Sequence, residues 1–121
     1  MCADMGTWNY GPFDNDKARD AVRQLADGTF DMDQFRFDCG NAPLDSERAE
    51  VVVALVAVMN GHLPPDADPC ALDFTFTFGD RRWLRAKLRE ALDPRYSELY
   101  GLWSDAGELS QWLEATGRVT H

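Results

Sequence analysis

A chain of 121 residues with 45% apolar and 12% aromatic residues is long enough to bury one core, which excludes global disorder. The formal net charge of −9 argues against direct binding to nucleic acid or to an anionic membrane, because both attract cations and repel carboxylates. The longest nearly uninterrupted apolar run, residues 51–59, is less than half of the roughly 20 residues that a membrane-spanning helix needs. We predict one domain over residues 1–121. Because the N-terminus lacks the basic and apolar stretches of a secretion signal, we expect the protein to be in the cytoplasm.

The first half of the chain carries the negative charge. Residues 1–73 contain 14 Asp and Glu against 5 Lys and Arg, whereas residues 74–121 contain 7 of each. The second half also holds a short basic cluster, formed by Arg81, Arg82, Arg85, Lys87 and Arg89. We therefore expect two opposed faces, and the acidic one favours a protein partner with a basic surface.

The first predicted helix covers residues 15–27. Asp14 is a favourable N-cap for it, and Gly28 is a favourable stop. A buried stripe with the spacing i, i+3, i+4, i+7 is formed by Ala18, Ala21, Val22 and Leu25. This element is an amphipathic helix with one side in the core.

The next segments predict a short strand and a buried helix. Phe35, Phe37 and Cys39 alternate with polar residues, which is typical of a strand. Asp45 or Ser46 then caps a helix that runs to residue 59. The apolar residues of this helix occupy all of its sides, so we expect it in the middle of the domain. Its valines suit a buried strand nearly as well, but its length favours the helix.

Residues 72–78 predict a second strand. Three prolines make residues 62–71 a loop, because proline lacks a backbone donor. Phe74, Phe76 and Phe78 then alternate with polar residues, so one buried strand face is expected. Since a lone strand is unstable, its predicted partner is the strand at residues 35–39.

Helices fill the rest of the chain. Asp80 is the predicted cap of the first, Asp93-Pro94 restarts the chain into a second that ends at Gly107, and residues 109–116 form the last. The predicted fold is mainly α, a single-domain bundle of four to five helices with one short two-stranded β ribbon. A small α+β arrangement is the alternative.

The opening of the chain carries a family resemblance. Gly6-Thr7-Trp8-Asn9-Tyr10-Gly11-Pro12-Phe13-Asp14-Asn15-Asp16 resembles the small bacterial domain-of-unknown-function family 4259, whose members open with W-G-x-G-P/I-F-D-N-D. The similarity extends to Trp112 and covers most of the chain, with Asn9 in place of the family's Gly and a Phe-rich insert around residues 30–37. It implies a helical, bacterial, single-domain protein. Because the family is uncharacterised, it implies no activity, cofactor or catalytic residue.

The favoured function is a non-enzymatic protein-binding module whose acidic face meets a basic partner. The predicted binding residues are Trp8, Asp14, Asn15, Asp16, Asp31, Asp33, Asp38, Asp45, Glu47 and Glu50. An inhibitor or immunity-like protein that covers the nucleic-acid site of a toxin or nuclease is the most concrete form, since clustered carboxylates mimic phosphates. No motif of a common enzyme class occurs, and the three unpaired, widely spaced cysteines favour reduced thiols, so no cofactor is predicted.

Two alternatives remain open. Asp14, Asp16 and Asp20 lie within seven residues and offer oxygen ligands for a metal-binding protein or a metal-dependent hydrolase, although helix capping and solvation are the favoured explanation of these carboxylates. The other alternative is a structural subunit of a larger assembly, held through exposed aromatic residues. The sequence does not fix the oligomeric state. The tryptophans are expected in the core, and Arg81, Arg85 and Arg89 are expected to fold back onto the acidic first half.

Overall fold

The computed structural model describes residues 16–40, 45–63 and 67–120, and these ranges are mainly helical. The helices are α1 (Asp16–Asp27), α2 (Met32–Cys39), α3 (Ser46–Met59), α4 (Phe78–Ala91), α5 (Glu98–Asp105) and α6 (Leu109–Thr120), with a 3-10 helix at Pro69–Asp73. The described ranges contain no β-strand. The mainly α prediction is confirmed, but these ranges hold six α-helices rather than four to five. Trp8, Asp14 and Asn15 lie outside the described residues.

Helix α3 forms the centre of the fold, as its all-round apolar sequence predicts. Residues 52–58 are all buried, and α3 packs against α1, α4, α5, α6 and the 3-10 helix. Asp45 is the N-cap, since its carboxylate accepts a hydrogen bond from the backbone N–H of Arg48 at 2.8 Å. The valines adopt the helical conformation because α3 is covered by helices on most of its sides.

Helix α1 packs its predicted stripe against α3 and the 3-10 helix. The buried residues are Ala18, Ala21, Val22 and Leu25. Gly28 ends the helix with a φ of 75°, a left-handed conformation that glycine adopts without a steric penalty. The predicted position of this helix is correct within the described range.

The prediction of a strand at residues 35–39 is wrong, because this segment is helix α2. Asp31 caps the helix by accepting a hydrogen bond from the backbone N–H of Gln34 at 3.0 Å. Met32 and Cys39 are buried, and they lie seven residues apart, which places them on one side of a helix. The aromatic alternation therefore reflected two different sides of a short helix rather than one face of a strand.

The predicted strand at residues 72–78 is also wrong, and no ribbon forms in the described ranges. Residues 69–73 are a 3-10 helix, residues 74–77 are extended without a pairing strand, and Phe78 begins α4. Phe74 nevertheless contacts Phe30, just before α2, with ring centroids 6.2 Å apart. The segment before α2 and the extended segment before α4 therefore meet through aromatic side chains.

Three helix boundaries differ from the prediction, two of them because polar side chains cap other positions. Thr77, not Asp80, is the N-cap of α4. Helix α5 begins after Ser97, whose hydroxyl accepts from the backbone N–H of Tyr100 at 3.0 Å, while residues 94–96 form a turn. Helix α6 continues through Gly117 to Thr120.

Thr116 in α6 has a fully buried hydroxyl without a hydrogen-bond partner among the described residues. Because an unpaired buried polar group costs about 1–3 kcal/mol, we expect Thr116→Val to raise the free energy of unfolding by about 1 kcal/mol. Urea unfolding followed by circular dichroism measures this change. Thr120 is the matched control, since its hydroxyl donates to the Thr116 carbonyl at 2.9 Å and Thr120→Val removes that bond. A destabilised Thr116→Val protein would contradict the prediction.

Candidate protein-binding surface

Helix α2 turns one side to the core and the other to solvent. Met32 and Cys39 are buried, whereas Asp33, Phe37 and Asp38 are exposed. The side chain of Phe37 is unusual for an aromatic residue because it is 81% exposed. We define the acidic α2 face as Asp31, Asp33, Phe37 and Asp38.

The carboxylates of the acidic α2 face keep their charge uncompensated. Within the described ranges, no Lys or Arg forms an ion pair with Asp31, Asp33 or Asp38. Gln34 serves two of them, because its backbone N–H donates to Asp31 at 3.0 Å and its side-chain amide donates to Asp38 at 2.8 Å. These neutral donors orient the carboxylates without cancelling their charge, so the face attracts cationic groups.

Asp80 ties the acidic α2 face to the rest of the fold. Its side chain is almost fully buried, and its carboxylate accepts from the guanidinium of Arg36 at 3.2 Å and from the backbone N–H of Thr77 at 3.1 Å. The backbone N–H of Asp80 donates to the Thr77 hydroxyl at 3.0 Å, which completes a capping box. Helix α2 is therefore held in place by the start of α4.

Aromatic contacts add to this attachment. The rings of Phe35 and Trp83 meet edge to face with centroids 5.8 Å apart. The guanidinium of Arg36 lies 5.6 Å from the Trp83 ring centroid, and the ammonium of Lys87 lies 5.8 Å from it. Such cation–π contacts suit the partly buried indole. These contacts hold the inner side of α2 in place, and they thereby fix the orientation of its solvent-facing side.

Two acidic residues at the start of α3, Asp45 and Glu47, behave differently because each forms an ion pair with a cation. Asp45 pairs with Arg48 at 2.8 Å, and Glu47 pairs with Lys17 at 3.5 Å. Burial, and then repulsion from Glu47, raises the pKa of the half-buried Glu50 above its ordinary value. The predicted acidic surface is thereby divided, because Asp45 and Glu47 pair with cations whereas the carboxylates of the acidic α2 face do not within the described ranges.

The raised pKa of Glu50 predicts a pH-dependent gain in stability on its neutralisation. Because the folded protein favours the protonated form, Glu50 supports folding below its unfolded pKa and loses that contribution as the pH rises through the folded pKa. We expect Glu50→Gln to raise the Tm near pH 7 and to leave it almost unchanged near pH 4. Differential scanning fluorimetry measures both values. Asp73→Asn, which removes an exposed carboxylate away from Glu50, is the control and should leave the Tm almost unchanged at both pH values. A gain of equal size at both pH values would contradict the assignment.

Asp20, one of the two proposed metal ligands on α1, is engaged with a cationic group and an amide group. The carboxylate of Asp20 accepts from the guanidinium of Arg23 and from the side-chain amide of Gln24, the latter at 3.0 Å. Asp16 and Asp20 line a shallow surface depression together with Lys17, Arg19 and Arg23, whose charges repel a cation. The described residues contain no group of three or more metal-ligating side chains. Asp14, the third predicted ligand, lies outside the described ranges.

A family model described as Domain of unknown function (DUF4259) matches residues 6–115. The chain belongs to this family. No curated protein matches the chain, and no solved structure matches it. The function of this DUF4259 protein must therefore be argued from its own surface.

The basic residues of this DUF4259 protein are arranged differently from the expectation. Arg81, Arg82, Arg85 and Arg89 are exposed, and none of them pairs with a carboxylate in the part of the chain that the structure describes. The expected fold-back onto the acidic first half does not occur there. An ion pair that joins the two halves has the opposite polarity, because its cation, Arg36, lies in the first half and its carboxylate, Asp80, in the second.

The tryptophans within the described ranges support the core rather than a ligand platform. Trp112 is buried and stacks on Trp103 with ring centroids 6.1 Å apart and an angle of 11° between the planes. Trp83 is half-buried beneath α2.

No helix of the described chain is long and apolar enough to cross a membrane.

Sequence reasoning found the carboxylates of the acidic α2 face but missed Phe37. The strand interpretation placed Phe37 beside Phe35 on a buried face, whereas the helix places them on different sides. The signal that could have revealed this was the spacing of Met32, Phe35 and Cys39 at i, i+3 and i+7, which fits a helix and leaves Phe37 outside.

Proposed function

We propose that this DUF4259 protein is a non-enzymatic binding module of the cytoplasm, which captures a basic protein through the acidic α2 face. The observation that carries the proposal is the exposure of Phe37, at 81%, among three carboxylates without a cationic partner in the described ranges. An aromatic anchor within a polar rim is the typical composition of a protein-binding hot spot.

The two components of the face have separate roles. Phe37 would enter an apolar pocket of the partner and supply most of the binding free energy, because an exposed ring gains the most from leaving water. Asp31, Asp33 and Asp38 would steer a basic surface towards it and set the orientation of the complex. Gln34 already positions Asp31 and Asp38, so these side chains lose less conformational entropy on binding.

A basic surface with this complementarity is characteristic of proteins that bind nucleic acid. In the inhibitor or immunity-like form of the proposal, the carboxylates occupy the positions of phosphates on a toxin or nuclease. Asp45 and Glu47 lie outside the binding site in this proposal, since Arg48 and Lys17 offset their charges. The contact is therefore smaller than the sequence alone predicted.

Capture from a lysate of the natural host tests the proposal. The tagged wild-type protein is expected to retain a basic protein at low salt, and the retained protein is then purified for affinity measurements. Phe37→Ala and the double variant Asp33→Lys/Asp38→Lys should each weaken its binding by about 100-fold or more, the scale of a hot-spot loss. Circular dichroism confirms that each variant is folded.

Matched controls separate the face from net charge and from general hydrophobicity. Asp73→Lys/Asp105→Lys gives the same change in net charge at exposed positions outside the face. Leu102→Ala removes another exposed apolar side chain, on α5. Both controls should bind as the wild type does. Equal loss in a control and in the matching face variant would overturn the proposal, as would capture that none of the face variants weakens.

A further inference from the structure

Helix α4 carries a second charged surface that the proposed function does not use. Its exposed arginines lie within an arc of about 100° around the helix, because each residue advances about 100°. Phe78, which is 77% exposed, lies within the same arc at the start of the helix. We define the basic α4 face as Phe78, Arg81, Arg82, Arg85 and Arg89. The face extends over about 16 Å, from residue 78 to residue 89, at about 1.5 Å per residue.

The basic α4 face and the acidic α2 face point away from each other within one molecule. Helix α2 rests on the side of α4 that holds Trp83 and Asp80. At about 100° per residue, Arg85 lies about 160° around α4 from Trp83. The acidic α2 face lies in turn on the side of α2 opposite Met32 and Cys39. The two charged faces are therefore unable to pair intramolecularly.

We infer that the basic α4 face binds the acidic α2 face of a second copy of this chain. The pairing rests on charge complementarity, since four arginines on one face meet three carboxylates on the other and neither set is paired within the described part of the molecule. Guanidinium groups bind carboxylates in bidentate geometry, and each face adds one exposed phenylalanine at 77% or 81% exposure. The inference rests on the proposed function, because it uses the same acidic α2 face.

The geometry determines the kind of assembly that results. The two surfaces are different, so the contact is heterologous, and a pair of copies keeps one free acidic α2 face and one free basic α4 face. Copies therefore add head to tail, as a ring or as an open chain. A basic partner and a second copy compete for the acidic α2 face, so self-association holds that face covered until the basic partner displaces it.

Sedimentation equilibrium of the purified chain tests this inference without any partner. At about 0.05 M salt, the average mass of the wild type should rise above the monomer value of 13.6 kDa as the concentration increases, and it should return to that value at about 0.5 M salt. The double variants Asp33→Lys/Asp38→Lys and Arg81→Glu/Arg85→Glu should each remain monomeric. Both double variants change exposed positions, and glutamate is a good helix former, so folding is retained.

Mixing the two reversed variants gives the sharpest outcome. The Asp33→Lys/Asp38→Lys variant keeps an intact basic α4 face, and the Arg81→Glu/Arg85→Glu variant keeps an intact acidic α2 face. These two faces should bind each other, so the mixture should associate although neither component does. The variant Asp73→Lys/Asp105→Lys, with a net-charge change equal to that of the α2 variant, should associate as the wild type does. A monomeric wild type at low salt would overturn the inference, and so would a mixture that stays monomeric. Association that survives Arg81→Glu/Arg85→Glu would overturn it as well.

Failure of this inference and failure of the proposed function are distinguishable. A monomeric protein that still captures a basic protein through the acidic α2 face removes the second copy as occupant and leaves the proposed function intact. Self-association through the two faces, without any basic protein retained from the lysate, supports the second copy as occupant and removes the proposed function. If the monomeric protein binds a labelled oligonucleotide and Arg81→Glu/Arg85→Glu abolishes that binding, the basic α4 face belongs to nucleic acid and the inference is overturned.

Discussion

Truncation of Leu55 to alanine is expected to lower the free energy of unfolding by about 3 kcal/mol. Leu55 is 0% exposed in the middle of α3, the helix against which α1, α4, α5 and α6 pack. Removing three buried carbon atoms there loses their transfer free energy and leaves a cavity, which costs about 2–5 kcal/mol for leucine. Since small domains are stable by only about 5–15 kcal/mol, this loss is a large fraction of the total.

Urea unfolding measures the effect of Leu55→Ala, with Leu102→Ala as the control. Leu102 is 53% exposed on α5, so its truncation should cost less than about 1 kcal/mol. A comparable cost at the two positions would show that α3 is not the centre of the core.

Loss of the Asp80 carboxylate is the second large effect that we expect. Asp80→Ala removes the hydrogen bonds from Thr77 and Arg36 and leaves a guanidinium without its buried partner. A lost capping interaction costs about 1 kcal/mol, and a buried charge-assisted hydrogen bond costs about 1.5–3 kcal/mol. We therefore expect the free energy of unfolding to fall by about 2–4 kcal/mol.

The loss should be felt most strongly in α2, which Asp80 attaches to α4. Amide hydrogen exchange of residues 32–39 should accelerate in Asp80→Ala more than exchange in α3 does. A double-mutant cycle with Arg36→Ala isolates the ion pair, because the two changes should be less than additive when the pair is real. Uniform acceleration throughout the protein, or strict additivity, would contradict the role given to Asp80.

The predictable part of the fold lies where a long apolar stripe coincides with good caps. Helix α1 has its stripe from Ala18 to Leu25 followed by Gly28, and α3 has its apolar run preceded by Asp45. In both helices, local propensity and burial point to the same structure. The class of the fold and the position of its central helix therefore follow from the sequence alone.

Helix α2 was missed because its local signals conflict. It has eight residues, and Phe35, Phe37 and Cys39 fit a strand as well as a helix. The outcome is decided by distant residues, since Phe35 packs on Trp83 and Arg36 pairs with Asp80. Such contacts between positions more than forty residues apart leave no local pattern in the chain.

The candidate site was predictable in composition but not in detail. Counting carboxylates locates the acidic first half, but it cannot reveal that Lys17 offsets Glu47 from another helix. Nor can it show that Asp31, Asp33 and Asp38 surround an exposed Phe37. The distinction between compensated and uncompensated charge exists only after α1, α2 and α3 are packed together.

The most direct test of the account is hydrogen exchange of the protein bound to the basic protein that it captures. The account predicts new protection concentrated in residues 31–40, where the acidic α2 face lies, and unchanged exchange in residues 93–107, which lie outside both charged faces. Protection of residues 93–107 without protection of residues 31–40 would contradict the claim that α2 is the binding surface.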